Sequence, residues 1–173
     1  DLRETYISLI KSNNELLLRL INDVLDISKI ESGMVFFAYT DVYLPSAMRD
    51  MYNIMQLRMP ENVELILDPC PDIMIRTDNN RMVQILSNLL TNAIKHTSCG
   101  SIRFGYTLKG DHVHFYVSDT GKGIPEKELD HIFGRFVQLK GAYNGIGLGL
   151  AISKGLVNKM GGEISVSSKV GEG

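Results

Sequence analysis

The stretch that decides the fold is DNNRMVQILSNLLTNAIKH, residues 78–96. Its apolar residues recur at spacings of three and four, the period of a helix that buries one face. These residues are Met82, Ile85, Leu86, Leu89, Leu90 and Ala93. The sequence therefore predicts an amphipathic helix over 78–96 that packs against the core of a soluble domain.

The other face of this helix carries two asparagines and a lysine. Asn88 and Asn92 are four residues apart and therefore stack on one side of the helix. Asparagine is a poor helix former, so two asparagines in the middle of a helix indicate a functional role. An amide oxygen is a suitable Mg²⁺ ligand when phosphates supply the negative charge, and Lys95 could reach a phosphate. A solvated polar face is an equally good interpretation of this segment alone.

A second candidate segment is VSDTGKGIP, residues 117–125. Asp119 ends a predicted strand, and Gly121 and Gly123 allow backbone to approach a ligand closely. A carboxylate only accepts hydrogen bonds, which suits a donor such as the exocyclic amine of adenine. Taken alone, the segment is better explained as an ordinary strand-to-turn transition.

The third segment is GIGLGLAI, in which glycines 145, 147 and 149 lead into a predicted helix over 147–160. Backbone N–H groups at a helix start favour an anion such as a phosphate. The segment is neither a Walker A loop nor a dinucleotide fingerprint, because no Lys-Ser or Lys-Thr follows and the third glycine comes one residue early. A flexible hinge remains the alternative.

The rest of the chain reads as one long helix followed by an α/β domain. Residues 1–32 contain no Gly or Pro, and Ile10, Leu17, Leu20, Val24 and Ile27 give a heptad rhythm. Strands are predicted near 34–44, 63–67, 73–76 and 163–168, a helix over 45–58, and a hairpin over 102–117 that turns at Gly110-Asp111. We expect about five strands in a mixed sheet.

Composition limits the function classes. The chain has 173 residues, 44% hydrophobic, with a net charge of −2, which fits one globular domain and gives no basic excess for nucleic acid. Cys70 and Cys99 form no zinc spacing, and none of the four histidines lies in a metal-ligand pattern. No apolar run approaches the roughly 20 residues that cross a bilayer.

The order of the three segments resembles the catalytic domain of sensor histidine kinases, within the ATPase superfamily that includes gyrase, an ATP-driven heat-shock chaperone and MutL. An Asn-bearing helix, a hairpin, DxGxG, a loop and GxGLGL follow one another. IFGRF, residues 132–136, is similar to the Phe-containing motif of that family's ATP lid. LDISKIESG, residues 25–33, resembles the end of the second dimerisation helix of hybrid-type kinases.

This resemblance implies a Bergerat-type fold, a two-layer α/β sandwich with a mixed sheet under three helices, preceded by one long helix. It divides the chain into 1–33, part of the dimerisation domain, and 34–173, the ATP-binding catalytic domain without its final strand. It also implies a homodimer in the parent protein, a histidine-bearing dimerisation helix and a response-regulator receiver domain as partners, and a cytoplasmic location in a membrane-anchored sensor.

The resemblance further assigns roles to single residues, with ATP and Mg²⁺ as ligands. Asn92 coordinates Mg²⁺, Asn88 and Lys95 complete the catalytic group, and Asp119 accepts from the adenine amine. The remaining nucleotide-binding positions are His96, Gly121, Gly123, Ile124, Phe136, Gly145, Gly147, Leu148 and Gly149.

Position 88 separates kinases from hydrolases in this superfamily. Hydrolysing relatives carry a Glu there that polarises water, whereas Asn88 is a much weaker base. No histidine of the chain lies in the family's acceptor context, so we expect the acceptor outside residues 1–173 and no autophosphorylation by this chain alone. The competing hypotheses are a nucleotide-binding regulatory module without transfer and a pure dimerisation element.

Overall fold

A computed structural model describes residues 2–137 and 146–173 of the chain. The elements in chain order are α1 (Leu2–Glu31), β1 (Thr40–Tyr43), α2 (Leu44–Gln56), β2 (Val63–Leu67), β3 (Met74–Thr77), α3 (Asn79–His96), β4 (Gly100–Lys109), β5 (His112–Asp119), α4 (Glu126–Leu129) and α5 (Gly149–Lys159). The predicted long first helix, the helix over 78–96 and the hairpin are confirmed. None of the helices in the described ranges is long and apolar enough to cross a membrane.

The strands form two small sheets. β1 pairs with β3 antiparallel, while β2 pairs with β4 parallel and β4 with β5 antiparallel. The expected mixed sheet is therefore present as β2-β4-β5, but the prediction of one five-stranded sheet is wrong. The predicted strand over 163–168 is also absent from the described residues, where β5 has only β4 as a ladder partner.

The main core lies between the β2-β4-β5 sheet and the helices α2 and α3. The buried face of α3 consists of Met82, Leu86, Leu90 and Ala93, four of the six residues that the periodicity selects. Facing it are Ile102, Phe104 and Tyr106 of β4, and α2 adds a methionine-rich stripe. Full burial of one such large side chain contributes roughly 1.5–3 kcal/mol. This core fixes α3 against the sheet and thereby sets the position of its polar face.

A second, smaller core joins the end of α1 to α5. Leu148, Ile152 and Leu156 are buried there, and Ile27 and Ile30 of α1 pack against them. The hydrophobic positions closer to the start of α1 are mostly exposed, including Ile10 and Leu17 at 60% and 54%. The predicted apolar stripe is thus uncovered along most of α1, but its last turn is covered by the same chain.

The segment before β1 is less regular than the sequence suggests. Of the predicted strand over 34–44, only Thr40–Tyr43 forms a ladder. The reason is that Val35 and Phe37 pack against the second core, while the Ala38 N–H donates to the Asp78 side chain at 2.9 Å instead of to a neighbouring strand.

Candidate functional site

Asn88 connects α3 to the glycine segment that opens α5. Its side-chain nitrogen donates to the Gly149 carbonyl at 3.2 Å and to the buried Ser153 hydroxyl at 3.4 Å. A Cβ at Gly149 would lie 3.6 Å from the Asn88 amide carbon, which is ordinary packing distance. The side-chain NH₂ group of Asn88 is therefore hydrogen-bonded, whereas its side-chain oxygen accepts no hydrogen bond from the described residues.

Asn92 lies one turn further along α3 and is half-buried. Unlike Asn88, it makes no side-chain hydrogen bond within residues 2–137 and 146–173, so its amide oxygen is available. No group of three or more His, Cys, Asp or Glu side chains that could hold a metal exists in the described chain. One neutral oxygen fits a hard cation that brings further oxygen ligands with it, since Mg²⁺ keeps several waters and binds substrate phosphates.

The end of α3 carries two ionisable side chains, Lys95 and His96, close to the ammonium of Lys122. Desolvation, then the charge of Lys122, lowers the pKa of Lys95. Desolvation also lowers the pKa of His96, with Lys122 and Lys95 adding to the effect and Asp119 opposing it. A bound anion would relieve the repulsion between these groups, so this corner favours a negatively charged ligand.

Asp119 ends β5 and faces the end of α3. One of its oxygens, Oδ1, accepts the Gly121 N–H at 2.9 Å and the Thr97 hydroxyl at 3.4 Å. The other oxygen, Oδ2, accepts no hydrogen bond from the described residues. Asp119 therefore offers one fixed acceptor to a ligand, the geometry expected for recognition of an amine.

The two glycines after Asp119 are required for different reasons. A Cβ at Gly121 would collide with the His96 carbonyl and come within 2.6 Å of Asp119 Oδ1, so glycine lets the turn close on α3. Gly123 has a φ of 67° and lies against the Lys169 carbonyl. The next residue, Ile124, donates its N–H to the Ser168 hydroxyl at 2.8 Å. Gly123 and Ile124 thus contact the end of the chain.

The glycine segment meets the predicted lid motif. Gly147 has a φ of 74°, and its carbonyl accepts the Phe136 N–H at 2.9 Å. Leu148 is 1% exposed, so only its backbone could reach a ligand. It precedes α5 without giving a side-chain cap, which leaves first-turn N–H groups available. Gly145, another predicted phosphate-binding position, lies outside the described residues.

The motif over 132–136 contacts both α5 and the end of α1. Ile132 is buried, and the Lys154 ammonium lies 5.3 Å from the Phe133 ring centre. Arg135 forms a salt bridge with Glu31, at the end of α1. Phe136 adopts a φ of 58° and is 66% exposed, so it presents an apolar ring to solvent.

Sequence reasoning missed two residues that contact the predicted site. Thr97 touches Asp119, and Ser153 touches Asn88. Both side chains are buried, and neither belongs to a glycine or asparagine pattern. Only the packing of α3 against β5 and α5 brings them to these partners.

Comparisons with known proteins point to one family. The family model described as histidine kinase-, DNA gyrase B- and HSP90-like ATPase matches residues 77–173, more than half of the chain. The circadian input-output histidine kinase CikA of Synechococcus elongatus is 40% identical across 97% of this chain and 24% of its own length. The aerobic respiration control sensor protein ArcB of Escherichia coli is 37% identical across 99% of this chain and 23% of its own length.

Solved structures give the same answer. ShkA, determined at full length in complex with AMPPNP, matches with a TM-score of 0.85 and 30% identity over 98% of this chain and 36% of its own. The nucleotide-free catalytic domain of the histidine kinase ThkA matches with a TM-score of 0.63 and 27% identity over 72% of this chain and 84% of its own. The chain spans about a quarter of the length of the two curated relatives.

Proposed function

Because the chain belongs to the family of histidine kinase-, DNA gyrase B- and HSP90-like ATPases, we propose that it is the catalytic domain of an ATP-dependent protein-histidine kinase. It binds Mg²⁺-ATP and transfers the γ-phosphoryl group to a histidine on an upstream helix. A response-regulator aspartate then receives the group in two-component signalling. The relatives named as histidine kinases support this proposal, as does the AMPPNP complex of ShkA.

The observation that carries the proposal is the arrangement around Asp119. The Asp119 oxygen that accepts no hydrogen bond from the described residues lies beside the end of α3, where Thr97 binds the other oxygen. Further back on α3, Asn88 binds the first turn of α5 at Gly149. In the proposed complex the adenine amine donates to Asp119, while the phosphates extend toward Lys95 and the N–H groups near Gly147 and Gly149. Asn92 supplies the protein ligand of Mg²⁺, which neutralises phosphate charge.

The amide at position 88 favours transfer to imidazole over hydrolysis. In transfer, the bond from the γ-phosphorus to the β,γ-bridging oxygen breaks and its electron pair leaves with ADP. A bond from phosphorus to an imidazole nitrogen forms, and that ring loses one proton to solvent. Such a reaction needs mainly alignment and charge stabilisation. Asn88 donates its N–H groups to Gly149 and Ser153 and offers no basic group to activate water.

We also propose the division of the chain and its assembly. Residues 1–33 form the second helix of a dimerisation domain, and residues 34–173 form the catalytic domain. The exposed apolar side chains of α1 support a bundle formed with a further helix and a second subunit. A receiver domain is the proposed downstream partner, and the parent protein is proposed to be a membrane-anchored sensor whose catalytic domain is cytoplasmic.

The second candidate is a regulatory module that binds nucleotide and transfers nothing. One experiment distinguishes the two. Radiolabelled ATP is incubated with this chain alone and then together with the upstream acceptor helix, on the same polypeptide or as a separate domain. We expect no label on the chain alone. With the helix present, an acid-labile, base-stable phosphohistidine should form outside residues 1–173, and Asn92→Ala should abolish it.

The other outcomes are equally informative. ATP binding without transfer to any added helix would favour the regulatory module. Phosphohistidine on the chain alone would refute the assignment of an external acceptor. Rapid release of phosphate without the helix would indicate an ATPase instead.

A further inference from the structure

Thr97 is the first residue after α3, and its side chain is directed into the protein. It is 2% exposed and adopts an extended backbone, with φ −112° and ψ 113°. The only hydrogen-bond partner of its hydroxyl in the described structure is Asp119 Oδ1, at 3.4 Å. A buried hydroxyl is expected to be hydrogen-bonded, and here the acceptor is the carboxylate that the proposed function assigns to adenine.

Two hydrogen bonds limit how the Asp119 carboxylate can rotate, and a third holds the turn beside it. Gly121 donates its N–H to the same Oδ1 at 2.9 Å, and the Lys122 N–H donates to the His96 carbonyl at 3.3 Å. Thr97 approaches from α3, whereas Gly121 approaches from the turn after β5. The two donors therefore fix Oδ1 from two different elements and leave Oδ2 as the open acceptor.

We propose that Thr97 is a positioning residue that sets the purine preference of the site by holding the Asp119 carboxylate in one orientation. This inference rests on the proposed nucleotide-binding function. A fixed Oδ2 accepts from the adenine amine and repels the guanine carbonyl oxygen at the equivalent place. A carboxylate that could turn away would lose part of the bond to adenine and tolerate guanine better.

The chain contains a matched control for the loss of this hydroxyl. Thr120 lies next to Asp119, but its Oγ1 accepts the Ser101 N–H at 3.0 Å and makes no bond to Asp119. Thr97→Val and Thr120→Val each remove a side-chain hydroxyl from a position beside Asp119. Thr97→Ser restores a hydroxyl at the first position. Because Thr120 is exposed, Thr120→Val controls for the loss of a hydroxyl beside Asp119, and Thr97→Ser controls for a change at the buried position.

The test measures ATP and GTP binding by calorimetry in the wild type and the three variants. Loss of one hydrogen bond predicts an approximately three- to tenfold weaker ATP affinity for Thr97→Val and a comparable fall in the ATP-to-GTP ratio. Thr97→Ser should recover most of the ratio, and Thr120→Val should keep it. Equal losses for both nucleotides in Thr97→Val, or an equal fall of the ratio in Thr120→Val, would overturn the inference.

A second measurement is independent of nucleotide binding. Hydrogen exchange of the Gly121 amide reports whether Asp119 Oδ1 stays in place, because that oxygen is its acceptor. We expect faster exchange in Thr97→Val than in the wild type and Thr120→Val, at equal global stability. If the wild type bound neither nucleotide, the proposed function would fail while this exchange rate still decided the role of Thr97. Unchanged exchange would refute that role.

Discussion

Two aspartates at opposite ends of α3 show how the same side chain serves two purposes. Asp78 precedes the helix, and each of its oxygens accepts a backbone N–H, from Arg81 at 3.0 Å and from Ala38 at 2.9 Å. Asp119 faces the other end, where both of its described donors bind one oxygen. Both oxygens of Asp78 are bonded within the fold, whereas Asp119 Oδ2 accepts no hydrogen bond from the described residues. A structural carboxylate therefore has both oxygens hydrogen-bonded within the protein, whereas a candidate binding carboxylate has one oxygen without a protein donor.

Of the substitutions that test this comparison, Asp119→Asn should have the largest effect, and the property affected should be nucleotide binding. An amide can still accept from Gly121, but it presents a donor where adenine also presents one. Hydrogen bonds to charged groups are worth about 1.5–3 kcal/mol, so ATP affinity should fall roughly 10- to 150-fold. Calorimetry would measure this fall, and the preference for ATP over GTP should shrink with it. Wild-type affinity in the variant would exclude Asp119 as the adenine acceptor.

At Asp78 the expected loss is of stability. Asp78→Ala removes the helix cap and the acceptor for Ala38, which together should lower the free energy of unfolding by about 2 kcal/mol. Asp78→Ser keeps a cap for Arg81 but cannot reach both donors, so it should lose about half as much. Urea unfolding at neutral pH measures both values. ATP affinity should stay within about twofold, and a larger change would show that the two ends of α3 are not independent.

The Asp78 carboxylate should also make the stability of the protein depend on pH in the acidic range. Burial raises the pKa of Asp78, but backbone hydrogen bonds from Arg81, Ala38 and Asn80 and the charge of Arg81 outweigh it, so the pKa lies below its usual value. A lowered folded-state pKa adds stability above the unfolded pKa of about 3.9, and this is lost as pH falls through the folded value. Unfolding measured from pH 6 to pH 2.5 should therefore show a smaller acid-dependent loss in Asp78→Ser than in the wild type. Parallel curves would contradict this assignment.

Sequence periodicity predicted the elements well because their signals are local. The apolar spacing of α3 and the alternation of β4 and β5 result from burial of one face, which any partner surface would require. The segment before β1 and the segment 163–168 were predicted less well. Whether an apolar stretch becomes a ladder strand depends on a neighbouring strand, and in the described structure Val35 and Phe37 find the second core instead.

The candidate site was partly predictable for the same reason. Asn88, Asn92 and Asp119 attract attention because their types are unusual at those places, and Gly121 lies where only a glycine fits. Thr97 carries no such signal, because a threonine after a helix is ordinary and its contact with Asp119 spans 22 residues of sequence. The roles of all these residues toward ATP and Mg²⁺ stay predictions until binding is measured.

The smallest expected effect concerns the ion pair that ties the Asp78 end of α3 to α1. Arg81 contacts Asp26 at 3.2 Å, with side-chain exposures of 23% and 17%, and Gln84 donates to the other Asp26 oxygen at 2.7 Å. A double-mutant cycle with Asp26→Asn and Arg81→Gln should give a coupling of about 0.5–1 kcal/mol, because the pair is partly screened.

The pair Lys169–Glu172 is the matched control, because its side chains are 75% and 64% exposed. Water competes for both partners at that exposure, so the same cycle there should give a coupling near zero. Both cycles use the free energy of urea unfolding, measured at low and at high salt. Only the Asp26–Arg81 coupling should persist at high salt. Equal couplings at the two pairs would show that partial burial adds nothing at this end of α3. The comparison between the two ends of α3 would then depend only on the hydrogen bonds of Asp78 and Asp119.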